Sequence, residues 1–153
     1  MRGISHLLLA AIASLGFCLA ATARAQGETA SSQVSYFRAA TVAQSFERGA
    51  VLYNPGDTNY MVHTSRRTMP GMAEVHALDT DIIYVLEGSA TFVTGGQVVD
   101  GKSTASDEVR GVAIDGGETR VLAPGDVIIV PHGTPHWFKE IQGPVLYYTI
   151  KVR

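Results

Sequence analysis

The chain has 153 residues, with 12 basic and 14 acidic side chains and a formal net charge of −2. This balance argues against a nucleic-acid partner, because no basic cluster extends beyond the pair Arg66 and Arg67. The single cysteine, Cys18, falls within a predicted leader, so we expect neither a disulfide nor thiolate chemistry. The length predicts one domain whose stability comes from a packed core.

Residues 1–25 have the pattern of a secretory signal peptide. Arg2 precedes an apolar run over 7–21, and residues 23–25 read Ala-Arg-Ala, a small-x-small cleavage site. The apolar run is too short and too rich in alanine to favour a membrane span; a retained anchor is the alternative. Cleavage would remove Arg2 and Arg24, which leaves 10 basic and 14 acidic residues and a formal net charge of −4. We predict a periplasmic or secreted protein with no membrane contact after cleavage.

After the leader, the small and polar residues 26–33 predict a flexible lead-in. Residues 34–54 alternate loosely between apolar and polar types, which predicts a short helix or extended arm and then a strand. That strand ends at the turn signal Asn54-Pro55-Gly56. We predict a single domain over residues 34–153.

From residue 60 onward, short apolar runs alternate with turns that contain glycine or proline. Many short strands separated by such turns are typical of a sandwich or jelly-roll barrel. The fold class is therefore predicted to be all-β, a jelly-roll barrel with a short N-terminal helix or arm. The predicted strands are 60–65, 73–76, 82–87, 90–94, 118–122, 126–130, 136–141 and 145–152.

Two segments raise questions beyond the barrel itself. Residues 97–117 are polar and predict an exposed excursion; we favour a plain surface loop over a hairpin arm of residues 109–114 across the barrel mouth. Residues 145–152 have strong strand propensity and lie at the chain end. They predict an edge strand that pairs with a second copy, and hence a homodimer.

Residues 125–140 read GDVIIVPHGTPHWFKE. The apolar run 127–130 predicts a strand, Pro131 and Gly133 predict a tight turn, and His136 then begins the next strand. Because the backbone fixes the position of this histidine, it is a candidate metal ligand.

This segment resembles the second motif of the cupin superfamily, Gly-x5-Pro-x-Gly-x2-His-x3-Asn. It matches at Gly125, Pro131, Gly133 and His136, while Glu140 stands where the family usually has asparagine. The matched spacing of four positions makes the similarity fairly specific.

A second segment resembles the first cupin motif, His-x-His-x3-4-Glu-x6-Gly. Here Glu74 replaces the first histidine, His76 is the second, Asp81 replaces the glutamate, and Gly88 ends the motif. The two resemblances cover about residues 60 to 150. They imply a jelly-roll barrel and, in most family members, a metal held by three histidines and one glutamate.

Transferred residue by residue, the resemblance implies a metal site of His76, His136, Glu74 and Asp81. Alternation along a strand puts Glu74 and His76 on one face, and His136 on one face with Phe138 and Glu140. Carboxylates inside an apolar barrel are costly unless they are paired or bound to a cation. Two imidazoles and two carboxylates favour a divalent transition metal, namely Fe, Mn, Zn or Ni.

Each residue has an alternative role. His76 and His136 are either ligands or hydrogen-bonded core histidines, and Glu74 is either a ligand or an acceptor that orients His76. Asp81 has a shorter side chain than glutamate, and Asp79 is its nearest competitor.

Glu140 and Glu74 are the candidate catalytic groups, since a carboxylate that faces an apolar cavity suits proton transfer. The alternative for Glu140 is a charge at the rim of the barrel. His63 is a weaker candidate that enters the barrel from the preceding strand, and His132 is expected to be exposed in its turn.

The leading functional hypothesis is a secreted metal-dependent enzyme that acts on a small organic molecule. The resemblance allows dioxygenases, isomerases, decarboxylases and lyases, and no residue selects among them. The alternative is a non-catalytic periplasmic cupin that binds a small ligand or a metal ion. A weaker hypothesis is an interaction module.

Overall fold

A computed structural model describes residues 33–153. The predicted leader and all but the last residue of the predicted lead-in lie outside the described residues. One helix, α1 (Ala39–Arg48), precedes the strands. The strands are β1 (Val51–Tyr53), β2 (Tyr60–Arg67), β3 (Ala73–His76), β4 (Thr80–Thr94), β5 (Gln97–Val99), β6 (Lys102–Ala105), β7 (Glu108–Gly111), β8 (Ala113–Asp115), β9 (Glu118–Leu122), β10 (Val127–Val130) and β11 (His136–Val152). In this part of the chain no helix is both long and apolar enough to cross a membrane.

The barrel is organised around two long antiparallel strands, β4 and β11. They pair from His136 opposite Thr94 to Val152 opposite Thr80, with register shifts between. β4 also pairs with β9 and β10, and β11 also pairs with β2 and β3. The predicted all-β class with a short N-terminal helix is confirmed, and the sheet curls in the manner of a jelly roll.

Each long strand was predicted as two shorter ones, because each contains glycine. Gly88 lies within β4 with a φ of 75°, a conformation that favours glycine. A Cβ at this position would overlap the backbone of Pro144 on β11. Glycine therefore allows the two backbones to approach closely where the strands bend, and it does not interrupt the strand.

The core is an apolar cluster on the inner faces of β4, β9, β10 and β11. Its members are Ile83, Val85, Ala90, Phe92, Leu122, Val130, Phe138, Val145 and Tyr147, and none is more than 6% exposed. The valine, leucine, isoleucine and phenylalanine side chains among them each contribute about 1.5–3 kcal/mol when fully buried. Residues 33–153 contain no cysteine, so burial of this apolar cluster is the main source of stability in the barrel.

Helix α1 packs on the outside of the barrel through its buried residues Ser45 and Phe46. Phe46 meets the ring of Tyr148 at a centroid distance of 5.0 Å, and Ser45 shares a 2.6 Å hydrogen bond with Thr64 of β2. Gly49 ends the helix in a left-handed conformation. Of the two predicted alternatives, a short helix or an extended arm, the structure has the helix.

The segment 97–117 forms four short strands, β5 to β8, so the plain surface loop that we favoured is wrong. β6 and β7 form a hairpin, and β7 pairs with β3 from Ala73 opposite Gly111 to His76 opposite Glu108. β5 and β8 pair separately. This hairpin extends the sheet and delivers side chains to the same surface as β3.

The edge strand predicted at 145–152 is also wrong. These residues pair with β2 along one side and with β4 along the other, so no backbone hydrogen-bonding edge is left for a second chain. The predicted homodimer is therefore no longer supported by a free edge at residues 145–152, and it stays a prediction.

Candidate metal centre and its cavity

A polar cavity of about 400 Å³ opens beside the apolar core. Its walls come from the inner faces of β2, β3, β4, β7 and β11. They carry His63, Ser65, Arg67, Met72, Glu74, His76, Asp81, Glu108, Arg110, His136, Phe138, Tyr147, Thr149 and Lys151. All four predicted metal ligands are in this wall.

Strand register brings the first group of polar side chains together. Glu74 of β3 lies opposite His136 of β11 on one side and opposite Arg110 of β7 on the other. Directly opposed residues in antiparallel strands have neighbouring side chains. The row across three strands therefore places a carboxylate between an imidazole and a guanidinium.

A second register position supplies another ion pair. Asp81, at the start of β4, lies opposite Lys151, near the end of β11. The Lys151 Nζ donates a 2.7 Å hydrogen bond to Asp81 Oδ1. The side chains of Lys151 and Asp81 are 15% and 6% exposed, so each charge has lost most of its solvation and depends on the other for compensation.

The donor atoms of Glu74, His76 and His136 lie within 4.8 Å of one another. Asp81 adds an oxygen, Oδ2, at 3.5 Å from His76 Nε2 and 3.8 Å from His136 Nε2. The structure therefore brings all four predicted ligands into one cluster. Their metal-binding role stays a prediction.

Each carboxylate in the cluster has one oxygen held by a cation and the other turned towards the imidazoles. Glu74 Oε1 accepts a 3.0 Å hydrogen bond from Arg110 Nη1, while Glu74 Oε2 is 3.7 Å from His76 Nε2. Asp81 divides its oxygens between Lys151 and the histidines in the same way. This division fixes the orientation of both carboxylates.

His136 is oriented through its other ring nitrogen. Its Nδ1 lies 3.1 Å from the backbone carbonyl of Thr134, which can accept a hydrogen bond but cannot donate one, so Nδ1 carries the proton and Nε2 has a free lone pair. Burial lowers the pKa of His136, and the hydrogen bond to Thr134 and the neighbouring carboxylates only partly offset this effect. A neutral imidazole with Nε2 directed into the cluster is the form that binds metal.

His63 enters the cavity from β2, as the sequence suggested. Its Nε2 is buried and has no hydrogen-bond partner among the described residues. Burial lowers its pKa, and the charge of Lys151 lowers it further. An unsatisfied buried nitrogen is costly, so this atom is available to a bound molecule.

The inward position predicted for Glu140 is wrong. β11 has a register shift between Phe138, which lies opposite Phe92, and Glu140, which lies opposite Thr91. The extra residue, Lys139, turns the next side chain to the other face. Glu140 is therefore exposed and contacts the Thr91 hydroxyl at 3.4 Å. Glu140 does not line the cavity in which proton transfer was expected.

The two minor candidates lie away from the cluster. Asp79 Oδ1 accepts a 2.6 Å hydrogen bond from Arg153 Nε, and His132 is exposed in its turn. Sequence reasoning instead missed Arg110 and Lys151. Each is a charged residue between small or apolar neighbours on a strand. This pattern points to a role in the site only when the strands that pair with it are known.

A family model described as cupin matches residues 51–152. This chain belongs to the cupin family. The match spans both motifs, the inserted hairpin and all strands from β1 to β11. No curated protein sequence matches this cupin.

Several solved structures are similar to this chain at low identity. KdgF from Halomonas sp. is 19% identical, over 67% of this chain and 74% of that one, with a TM-score of 0.48. Hydroquinone 1,2-dioxygenase from Sphingomonas sp. TTNP3 is 16% identical over 62% and 60%, with a TM-score of 0.47. The polyketide cyclase RemF from Streptomyces resistomycificus is 18% identical over 67% and 62%, with a TM-score of 0.46.

Proposed function

We propose that this cupin is a metal-dependent enzyme that acts on a small organic molecule. The observation that carries the proposal is the convergence of Glu74, His76 and His136, with Asp81 beside them, at the wall of a cavity. Nitrogen and oxygen donors of this kind fit Fe, Mn, Zn or Ni. The four donors are two imidazole nitrogens and two carboxylate oxygens, and each carboxylate also has an ion pair with Arg110 or Lys151.

The residues around the cluster hold its donors in place. Arg110 and Lys151 each bind one oxygen of a carboxylate, and the Thr134 carbonyl orients His136. When bound, a divalent metal supplies a Lewis acid for a substrate oxygen. The ion pair with Arg110 favours Glu74 as an anionic ligand over a role as proton donor.

The cavity also provides room for a substrate. Its volume of about 400 Å³ falls within the range of small-molecule sites. Phe138 and Tyr147 supply an apolar wall, while hydroxyl groups of Ser65 and Thr149 supply hydrogen-bonding partners. A molecule of a few carbon atoms with polar substituents matches this lining.

Metal analysis tests the proposal. The untagged protein, purified without chelator, is expected to contain about one equivalent of a transition metal. His136→Ala is expected to reduce the content below about one tenth of an equivalent. His132→Ala is the matched control, because this histidine is exposed in the same segment, and it should retain the metal. A wild-type protein without metal would contradict the proposal.

Turnover separates an enzyme from the non-catalytic alternative. Metal-loaded wild type and His136→Ala are each incubated with a panel of small organic molecules, and the products are followed by mass spectrometry. Conversion by the wild type alone supports the enzyme. Metal-dependent binding without conversion supports a binding protein.

A periplasmic or secreted location is proposed from the leader sequence alone. Cell fractionation of the full-length product, followed by N-terminal sequencing, tests it. A chain that begins at Gln26 in the periplasm or medium is expected. An uncleaved chain in the cytoplasm would contradict the proposal.

A further inference from the structure

Among the cations that the described residues place in the cavity wall, only Arg67 has no carboxylate partner. Arg110 pairs with Glu74 and Glu108, and Lys151 pairs with Asp81. Within residues 33–153, no acidic oxygen lies within ion-pairing distance of the Arg67 guanidinium. A positive charge that faces a cavity without an acidic neighbour is a candidate anion-binding group.

The guanidinium of Arg67 is held in a defined position. Its central carbon lies 4.7 Å from the centroid of the Phe138 ring, a cation–π distance. Its Nε donates a 3.4 Å hydrogen bond to the Tyr147 hydroxyl. Gly71 borders the other edge, where a Cβ would clash with Nη1, and the backbone amide of Gly71 is fixed by a 2.9 Å hydrogen bond to the Phe138 carbonyl.

These contacts cover one face of the guanidinium, engage its Nε and place Gly71 beside Nη1. Neither terminal nitrogen donates a hydrogen bond to another described residue, so both have N–H groups for a ligand. A planar guanidinium presents parallel N–H groups that match the two oxygens of a carboxylate. Lysine offers no such fork.

Arg67 and the metal cluster lie at opposite ends of one row of polar side chains. Arg67, Ser65 and His63 alternate along the inner face of β2, and Tyr147 and Thr149 lie opposite Ser65 and His63 on β11. At about 3.4 Å per residue, the Cα atoms of Arg67 and His63 are about 13–14 Å apart. The row offers hydroxyl groups and the unpaired His63 Nε2 between the two ends.

The charges of the cavity favour an anion once a metal is bound. Three carboxylates, Glu74, Asp81 and Glu108, face three cations, Arg67, Arg110 and Lys151, so the side chains sum to zero with neutral histidines. A divalent ion would raise the sum to +2. An anionic substrate lowers this uncompensated charge inside a partly enclosed site.

We propose that the substrate is a small organic carboxylate whose carboxylate group binds Arg67 and whose other polar groups extend past Ser65 and His63 towards the metal end of the cavity. This inference rests on the proposed function, because the metal defines that end. The chemical class is an acid with hydroxyl or carbonyl substituents. A neutral counterpart would leave Arg67 without a partner.

Matched pairs of probes test the charge preference. Gluconate is compared with glucitol, lactate with 1,2-propanediol, and benzoate with benzyl alcohol, by isothermal titration calorimetry on zinc-loaded and on chelator-treated protein. At least one carboxylate is expected to bind wild type about tenfold or more tightly than its alcohol, the scale of one hydrogen-bonded charge pair. No preference for any carboxylate in either form of the protein would overturn the inference.

Variants assign the preference to a residue. Arg67→Gln is expected to abolish it, whereas Arg66→Gln, at the exposed neighbouring arginine on the opposite face of β2, should retain it. Arg67→Lys keeps the charge without the fork and should bind the carboxylate several-fold more weakly than wild type. If Arg67→Gln does not fold, Arg67→Lys decides, and unchanged affinity in that variant overturns the inference.

The two metal states separate this inference from the proposed function. Loss of metal binding with an intact, Arg67-dependent carboxylate preference contradicts the proposed function and supports the anion site. Full metal binding with a preference unchanged in Arg67→Gln contradicts the anion site and leaves the proposed function in place.

Discussion

The apolar core and the polar cavity are built on the same two strands, yet different interactions stabilise them. Along the inner face of β4, Asp81 faces the cavity, while Ile83 and Val85 are at most 1% exposed in the core. Burial of apolar surface stabilises the core. In the cavity, charged groups lose solvation and need partners. The fold is therefore stabilised mainly by the apolar cluster beside the site, and not by the charged groups within it.

The largest effect is expected from a substitution that creates a cavity in the apolar core. Phe92 is fully buried between Phe138 and the other core residues, so Phe92→Ala is expected to lower the free energy of unfolding by about 3–5 kcal/mol. Urea denaturation measures the change. Val121→Ala is the control, since this residue of β9 is 66% exposed, and its effect should stay within about 0.5 kcal/mol.

Breaking the buried ion pair of Asp81 and Lys151 tests whether the cavity charges need their partners. Asp81→Leu leaves Lys151 without its partner, and we expect a loss of about 3 kcal/mol in metal-free protein. The double variant Asp81→Leu with Lys151→Met removes both charges and should be more stable than the single variant. A double variant that is less stable than Asp81→Leu would show that the cavity charges stabilise the fold.

Arg110 is expected to affect the site more than the fold. Its side chain is 37% exposed, so screening limits its contribution to stability to less than about 1 kcal/mol. Arg110→Gln frees Glu74 Oε1 and should weaken metal binding about tenfold. Competition with a fluorescent zinc chelator measures the affinity. Arg120→Gln removes a comparably exposed arginine, paired with Glu118, and should leave the affinity unchanged.

The smallest expected effect is a pH dependence at His63. Burial, and then Lys151, lower its pKa in the folded protein, so the unfolded chain takes up the proton first, near pH 6.5. Stability is therefore complete above that pH and falls as the pH drops below it. His63→Gln should show a shallower fall in metal-free protein, measured by denaturation at several pH values. An identical pH profile in wild type and variant would contradict the assignment.

The sequence predicted what depends on local geometry. The turn at Pro131 and Gly133 delivers His136 to the cavity, and alternation along β3 puts Glu74 and His76 in its wall. What it missed depends on pairing between distant segments. A bulge at Lys139 turns the Glu140 side chain to the outer face of β11. The ion pair of Asp81 and Lys151 joins residues 70 positions apart in the sequence. Side-chain alternation gives no information on which strands will become neighbours.

The β6–β7 hairpin joins the main sheet through β3 alone, yet it contributes Arg110 and Glu108 to the cavity. The hairpin can therefore lengthen, shorten or be exchanged for another without disturbing β4 or β11. Such a change would remodel one wall of the pocket while His136 keeps its place on β11. His76 would be affected more, because β3 pairs with β7 along its whole length. Divergence of specificity among proteins of this design would then be fastest in residues 102–111, and a graft of that stretch offers a route to engineered variants.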